Sequence, residues 1–155
     1  MGILLPRVES PEVLTRAASS TFFPPAGTRG YGFTQHNVDY EPVTIPQIIQ
    51  HTNDNTMLVF QIETQTALDA RDELISVPGV DAVMVGPADL SISLGIPGQF
   101  EHPKLFDAIE KIIESCHKHN VAPGIHIRAL PLGQVLARPR HAPSEHGRRC
   151  VVSVR

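Results

Sequence analysis

The chain has no tryptophan, two tyrosines, two cysteines and only three lysines among 155 residues, and each scarcity removes a class of chemistry. Cys116 in a helical pattern and Cys150 near the C-terminus do not make the bridged framework of a small secreted domain, so a reducing cytoplasm is the expected compartment. Lys104, Lys111 and Lys118 recur at seven-residue steps along one helix, which marks a solvated face. A Schiff-base mechanism needs a lysine desolvated in an apolar pocket and finds no candidate. No apolar run is longer than a strand, and no charged segment followed by an apolar one opens the chain; neither a spanning helix nor a signal peptide is expected. Gly-x-Gly-x-x-Gly and Gly-Lys-Ser/Thr sequences are also missing, which sets aside dinucleotide and phosphate loops.

A hydrophobic content of 41% suits one domain with a core. Charge nevertheless divides the chain. Residues 1–127 hold 7 Lys and Arg against 15 Asp and Glu, a balance of −8, whereas residues 128–155 hold 6 Arg against one Glu, a balance of +5. The second stretch also carries Pro131, Pro139 and Pro143 with little periodicity, so it reads as an irregular tail foreign to the domain. With no aromatic residues interleaved among its arginines, it lacks the marks of a nucleic-acid-binding segment.

Short apolar runs at 3–8, 57–62, 81–86 and 121–127 read as buried parallel strands, separated by stretches of helical periodicity at 11–20, 64–77 and 103–119. Ser10-Pro11-Glu12 is a helix start, with a capping hydroxyl, a proline at the first helical position and an acid at the positive end of the dipole. Thr64 is a second cap, and Pro78-Gly79 stops the helix it opens. Leu105, Ile109, Ile112, Ile113 and Cys116 form the apolar stripe of the last helix. Between the first helix and residue 57 the pattern weakens: a Pro- and Gly-rich loop at 22–32 with a short strand at 29–32, a polar excursion at 33–46, and a short helix at 45–51.

Glu63 and Asp89 stand at the ends of two consecutive strands, 26 residues apart, which is one strand–helix unit. In a parallel α/β sheet both then lie at the C-terminal rim, where ligands bind. Paired carboxylates there suit a hard divalent cation. The plainer reading is that both acids cap the helices that follow. Spacing alone leaves the two readings open. His36, His51, His117 and His119 lack ligand spacing. His126 alternates with Ile125 and Ile127, as a core histidine does, or as one that faces a substrate. Arg29 is suited to pair with a carboxylate, of the protein first and of a substrate second.

Leu4-Leu5-Pro6-Arg7-Val8-Glu9-Ser10, Pro24-Pro25-Ala26-Gly27-Thr28-Arg29-Gly30, Gln61-Ile62-Glu63-Thr64, Pro78-Gly79-Val80-Asp81, Gly86-Pro87-Ala88-Asp89-Leu90-Ser91 and His102-Pro103 occur in this order. Together they resemble the HpcH/HpaI aldolase/citrate lyase family over about residues 3–127. The resemblance implies a partial (β/α)8 TIM barrel over residues 1–127, lacking about the first three or four of its β/α units, since a whole barrel takes roughly 200 to 250 residues, with residues 128–155 as a divergent tail. It implies a divalent metal, magnesium or manganese, held by Glu63 and Asp89, and a pyruvate site lined by Gln61, Ala88 and Asp89. The implied activity is that of a metal-dependent aldolase, cleaving a 4-hydroxy-2-oxo acid to pyruvate and an aldehyde through a metal-bound enolate. The family's proton-transferring histidine and enolate-stabilising arginine belong to the missing units, so no catalytic residue is assigned. The rival expectation is an inactive remnant that keeps metal or pyruvate binding, or only associates with related subunits; lyase action on an acyl thioester is a third. Expected partners are a small 2-oxo acid or pyruvate and further subunits, identical or related, with neither nucleic acid nor membrane.

Overall fold

Strand and helix alternate along the chain, and in the computed structural model, which describes residues 1–32, 40–127 and 151–154, the strands meet in one parallel sheet. The strands are β1 (Gly2–Leu5), β2 (Met57–Ile62), β3 (Ala82–Val85), β4 (Ala122–Ile127) and β5 (Val151–Val154), and their order in the sheet is their order in sequence. The helices are α1 (Pro11–Thr21), α2 (Ile45–Asp54), α3 (Gln65–Asp69), α4 (Arg71–Ile75), α5 (Pro87–Ser93) and α6 (Pro103–Lys118). Sequential parallel strands joined through helices are the arrangement of part of a (β/α)8 barrel.

One face of the sheet carries the core. Leu58, Phe60 and Ile62 are fully buried, and the register sets Phe60 beside Val83, Ile62 beside Val85 and Val85 beside Ile125. Against them pack Leu14, Leu74, Leu105, Ile109 and Ile112 from the helices. Each such side chain contributes about 1.5–3 kcal/mol by leaving water. Phe60→Ala is expected to cost about 3–5 kcal/mol, read from the urea midpoint. The opposite face, which a closed barrel would turn inward, leaves Leu4 51% and Met57 49% exposed.

Local chemistry accounts for the element ends. Ser10 Oγ accepts the Val13 N–H at 3.3 Å, and Thr64 Oγ1 accepts that of Ala67 at 3.1 Å. Thr44 and Gln47 form a capping box that opens α2, which extends past the expected residue 51 to Asp54. The stretch 64–77 is two short helices rather than one. Ala70, at φ −86° and ψ 9°, bends the chain between them, and Ala67, Leu68, Leu74 and Ile75 all remain buried. The first strand stops at Leu5 instead of reaching Val8, because Pro6 has no N–H to donate and Arg7 adopts a left-handed backbone at φ 51°. Residues 29–32 form no strand.

Val151–Val154 pairs in parallel with β4, so that part of the tail is an edge strand. Residues 33–39, 128–150 and Arg155 lie outside the described residues, and with them the first half of the expected excursion, most of the tail, His36 and Cys150. Among the described residues no helix is long and apolar enough to cross a membrane.

Candidate functional site

Alternation along β2 turns Gln61, and Glu63 just beyond it, to the side opposite Phe60 and Ile62. Gly86 follows β3 on the same side as Met84. The three positions meet there: a Cβ on Gly86 would run into Gln61 Nε2 and stand 2.8 Å from Glu63 Oε2 and 3.1 Å from Glu63 Cβ. At φ −99° the backbone of Gly86 is open to any residue, so the site needs glycine for space and not for conformation.

Glu63 is 5% exposed, and its Oε1 accepts the backbone N–H of Arg7 at 2.9 Å. Burial pushes its carboxyl above the ordinary value of 4.5; the Arg7 N–H opposes this, the charge of Asp89 adds to it, and the charge of Arg7 subtracts, leaving the net direction upward. Asp89 and Ala88 are both exposed in the first turn of α5, where Pro87 has no N–H and the next two N–H groups precede the first helical hydrogen bond. Ser91 Oγ donates to Ala88 O at 2.7 Å and accepts the Gly98 N–H at 3.0 Å, while Ser93 Oγ accepts the Gln65 N–H at 2.9 Å. These bonds tie α5 to the loop after it and to the start of α3.

Among the described residues, no three His, Cys, Asp or Glu side chains converge. No third acid, histidine or cysteine therefore joins Glu63 and Asp89. They fit a hard divalent ion: both offer anionic oxygen, one is buried, and their mutual repulsion falls if a cation or a proton joins them. Two protein ligands also leave most of an octahedral shell for water and a chelating acid.

Other residues singled out in the sequence lie elsewhere. Lys104, Lys111 and Lys118 are exposed, as their spacing implies. Lys118 Nζ and His119 Nε2 each stand 3.3 Å from Asp72 Oδ1, a surface tie between α4 and α6. His126 is exposed and is therefore not a core histidine; it follows Ile125 on β4 and shares the sheet face of Gln61 and Met84. The Arg29 guanidinium lies 4.8 Å over the Phe23 ring, and Nη1 donates to Thr21 O at 3.4 Å. Arg29 also lines a cleft of about 410 Å³ with Met1, His51 and Thr56, at the starts of β1 and β2 and so at the opposite end of the strands from Glu63. Two contributors were not anticipated. Ser91 stands in the Gly-Pro-Ala-Asp-Leu-Ser segment, whose order could have flagged it; nothing in sequence marks the left-handed backbone of Arg7.

Parallel strands in barrel order, with an acidic pair at the carboxyl rim, define a (β/α)-barrel scaffold of the kind that carries metal-assisted chemistry. The chain belongs to the HpcH/HpaI aldolase/citrate lyase family, whose sequence profile matches residues 1–139, and it thereby joins a family of carbon–carbon lyases. It is 37% identical to a 5-keto-4-deoxy-D-glucarate aldolase of Klebsiella pneumoniae over 124 residues, 80% of this chain and 48% of that protein. A 4-hydroxy-2-oxo-heptane-1,7-dioate aldolase of Shigella flexneri is also 37% identical, over 123 residues, 79% of this chain and 46% of that one. The crystal structure of an HpcH/HpaI aldolase from Desulfitobacterium hafniense superposes with a TM-score of 0.85 at 32% identity, covering 99% of this chain and 57% of the other. A family member from Burkholderia cenocepacia gives 0.79 at 26% identity, over 99% and 58%. The chain thus spans about half the length of the curated relatives it matches.

Proposed function

We propose that this chain contributes the metal- and 2-oxo-acid-binding half of an aldolase that cleaves a 4-hydroxy-2-oxo acid to pyruvate and an aldehyde. The observation that carries the reading is buried Glu63, whose Oε2 packs beside Gly86 at the end of β3, with exposed Asp89 three residues further on in the first turn of α5. Its alignment with two aldolases of keto acids gives the chemical class.

Glu63 and Asp89 would hold magnesium or manganese. Such an ion, when bound, supplies a Lewis acid for the charge that develops on the keto oxygen of a 2-oxo acid. Gln61 orients the acid through its side-chain amide. Ala88 and Asp89 offer their unpaired N–H groups to its carboxylate, and Gly86, with no Cβ, leaves room for the side chains of Gln61 and Glu63. Proton transfer needs groups from outside this chain's assigned residues. The exposed apolar side chains of Leu4 and Met57 likewise call for cover, by another copy or a related subunit, in a cytoplasmic protein.

The second reading is a binding remnant without turnover, in which Glu63 and Asp89 would hold the metal and no group of this chain moves a proton. Pyruvate release from 4-hydroxy-2-oxo acids, assayed with and without magnesium or manganese, separates the two. Metal-dependent release that is lost in Asp89→Asn supports the aldolase; metal uptake with no release supports the remnant.

A further inference from the structure

We infer that Arg7 is a positioning residue for this metal site: its left-handed backbone aims its N–H at Glu63 Oε1 and so sets the other oxygen, Oε2, beside Gly86 as the metal-binding oxygen. The inference rests on the metal reading above and concerns this chain's own residues. Arg7 is neither glycine nor asparagine, yet it holds φ 51°, a region that L side chains with a full Cβ rarely enter. The chain around it fixes that conformation. Pro6 before it cannot donate a hydrogen bond, and Val8 after it is 4% exposed and anchored in the core. The N–H thus pointed out of the strand meets a carboxylate 56 residues further along the chain, at 2.9 Å.

A backbone donor has no rotamers. It therefore holds a carboxylate in one orientation more firmly than a flexible side chain would, as partners of metal ligands do. With Oε1 accepting the Arg7 N–H, Oε2 is the oxygen that packs against Gly86, at the end of β3 and three residues before Asp89. Held in this way, Glu63 would offer Oε2 to a metal ion while Oε1 keeps its bond to Arg7. Local strain stored beside a site, and held in place by the core around it, is the general pattern of such devices.

The exposed guanidinium of Arg7 acts in a different sense. Its positive charge favours ionised Glu63 but opposes a cation bound there. Backbone and side chain therefore predict opposite outcomes for two substitutions. In Arg7→Ile, the branched Cβ drives residue 7 out of the left-handed region and turns its N–H away. In Arg7→Gly, the same φ is adopted freely and the N–H stays.

The test measures manganese affinity by calorimetry, with hydrogen exchange of the residue 7 amide followed in the same proteins by NMR. Arg7→Ile is expected to bind manganese about 10- to 100-fold more weakly and to lose amide protection, whereas Arg7→Gly binds at least as tightly as the parent chain and keeps protection. Arg7→Ala replaces the isoleucine variant if that one does not fold, with a smaller loss of the same sign. Unchanged affinity in Arg7→Ile alongside a deprotected amide overturns the inference while the metal reading stands, and so does an equal loss in Arg7→Gly. A parent chain that takes up no manganese, its Arg7 amide still protected, overturns the metal reading and this role together.

Discussion

Glu63→Gln is expected to raise the stability of the metal-free protein at neutral pH while weakening manganese binding by more than about a hundredfold, beyond what loss of a mere supporting partner does. The two effects have one cause. Burial, and after it the charge of Asp89, disfavours the ionised carboxylate, so the folded-state pKa of Glu63 lies above its ordinary value of 4.5. A raised pKa means that the folded chain binds the proton more tightly than the unfolded chain does. The stability this group contributes is fully present below the unfolded value and is lost as pH rises from about 4.5 through the raised folded value. Urea unfolding of the metal-free parent chain should therefore show stability falling across that window and levelling above it. The glutamine variant should lack this component of the slope. Its amide oxygen can still accept the Arg7 N–H, so the comparison removes charge without opening a cavity. A variant less stable than the parent at neutral pH, without metal, would mean that Glu63 is serving the fold and not a cation.

Gly86→Ala is expected to impair the same site with the opposite effect on stability. The added methyl has room only if the ends of Gln61 and Glu63 move, since it would strike the first and stand 2.8 Å from Oε2 of the second. Those ends are flexible, so the cost to the fold is that of modest overpacking, about 1–3 kcal/mol. Glu63 Cβ, at 3.1 Å, yields less easily. The carboxylate is thereby pushed off the Arg7 N–H and out of line with Asp89, and manganese affinity falls by about 10- to 100-fold. Calorimetric titration with metal and a thermal melt of the same sample give both numbers. An alanine variant that binds manganese as the parent does would show that Gly86 is not the floor of the site.

The elements that sequence identifies best are those whose local chemistry and tertiary role agree. β2 runs over Met57–Ile62 as its apolar pattern implies, α1 begins behind the Ser10 cap, and α6 follows its stripe from Leu105 to Cys116. The departures occur where long-range contacts decide. Ala67, Leu68, Leu74 and Ile75 fit one helical stripe on paper, but burying all four takes the bend at Ala70. The run 151–154 looks like part of a basic tail until β4 offers it a partner. His126 sits between two isoleucines, which suggests a core, but it shares the face of the sheet that a complete barrel would turn inward. In the candidate site, the positions of Glu63 after β2 and of Gly86 and Asp89 after β3 were legible from the strand pattern. The backbone of Arg7 was not, because an N–H carries no sequence signature and arginine is not a residue that favours positive φ.

The account stands on Glu63 and Asp89 sharing one cation. Titration of the chain with manganese, followed by calorimetry in the parent, in Glu63→Gln and in Asp89→Asn, tests that directly. The prediction is a single site in the parent that is lost in both variants. Uptake that survives either substitution, or a parent chain that binds no manganese, would contradict it.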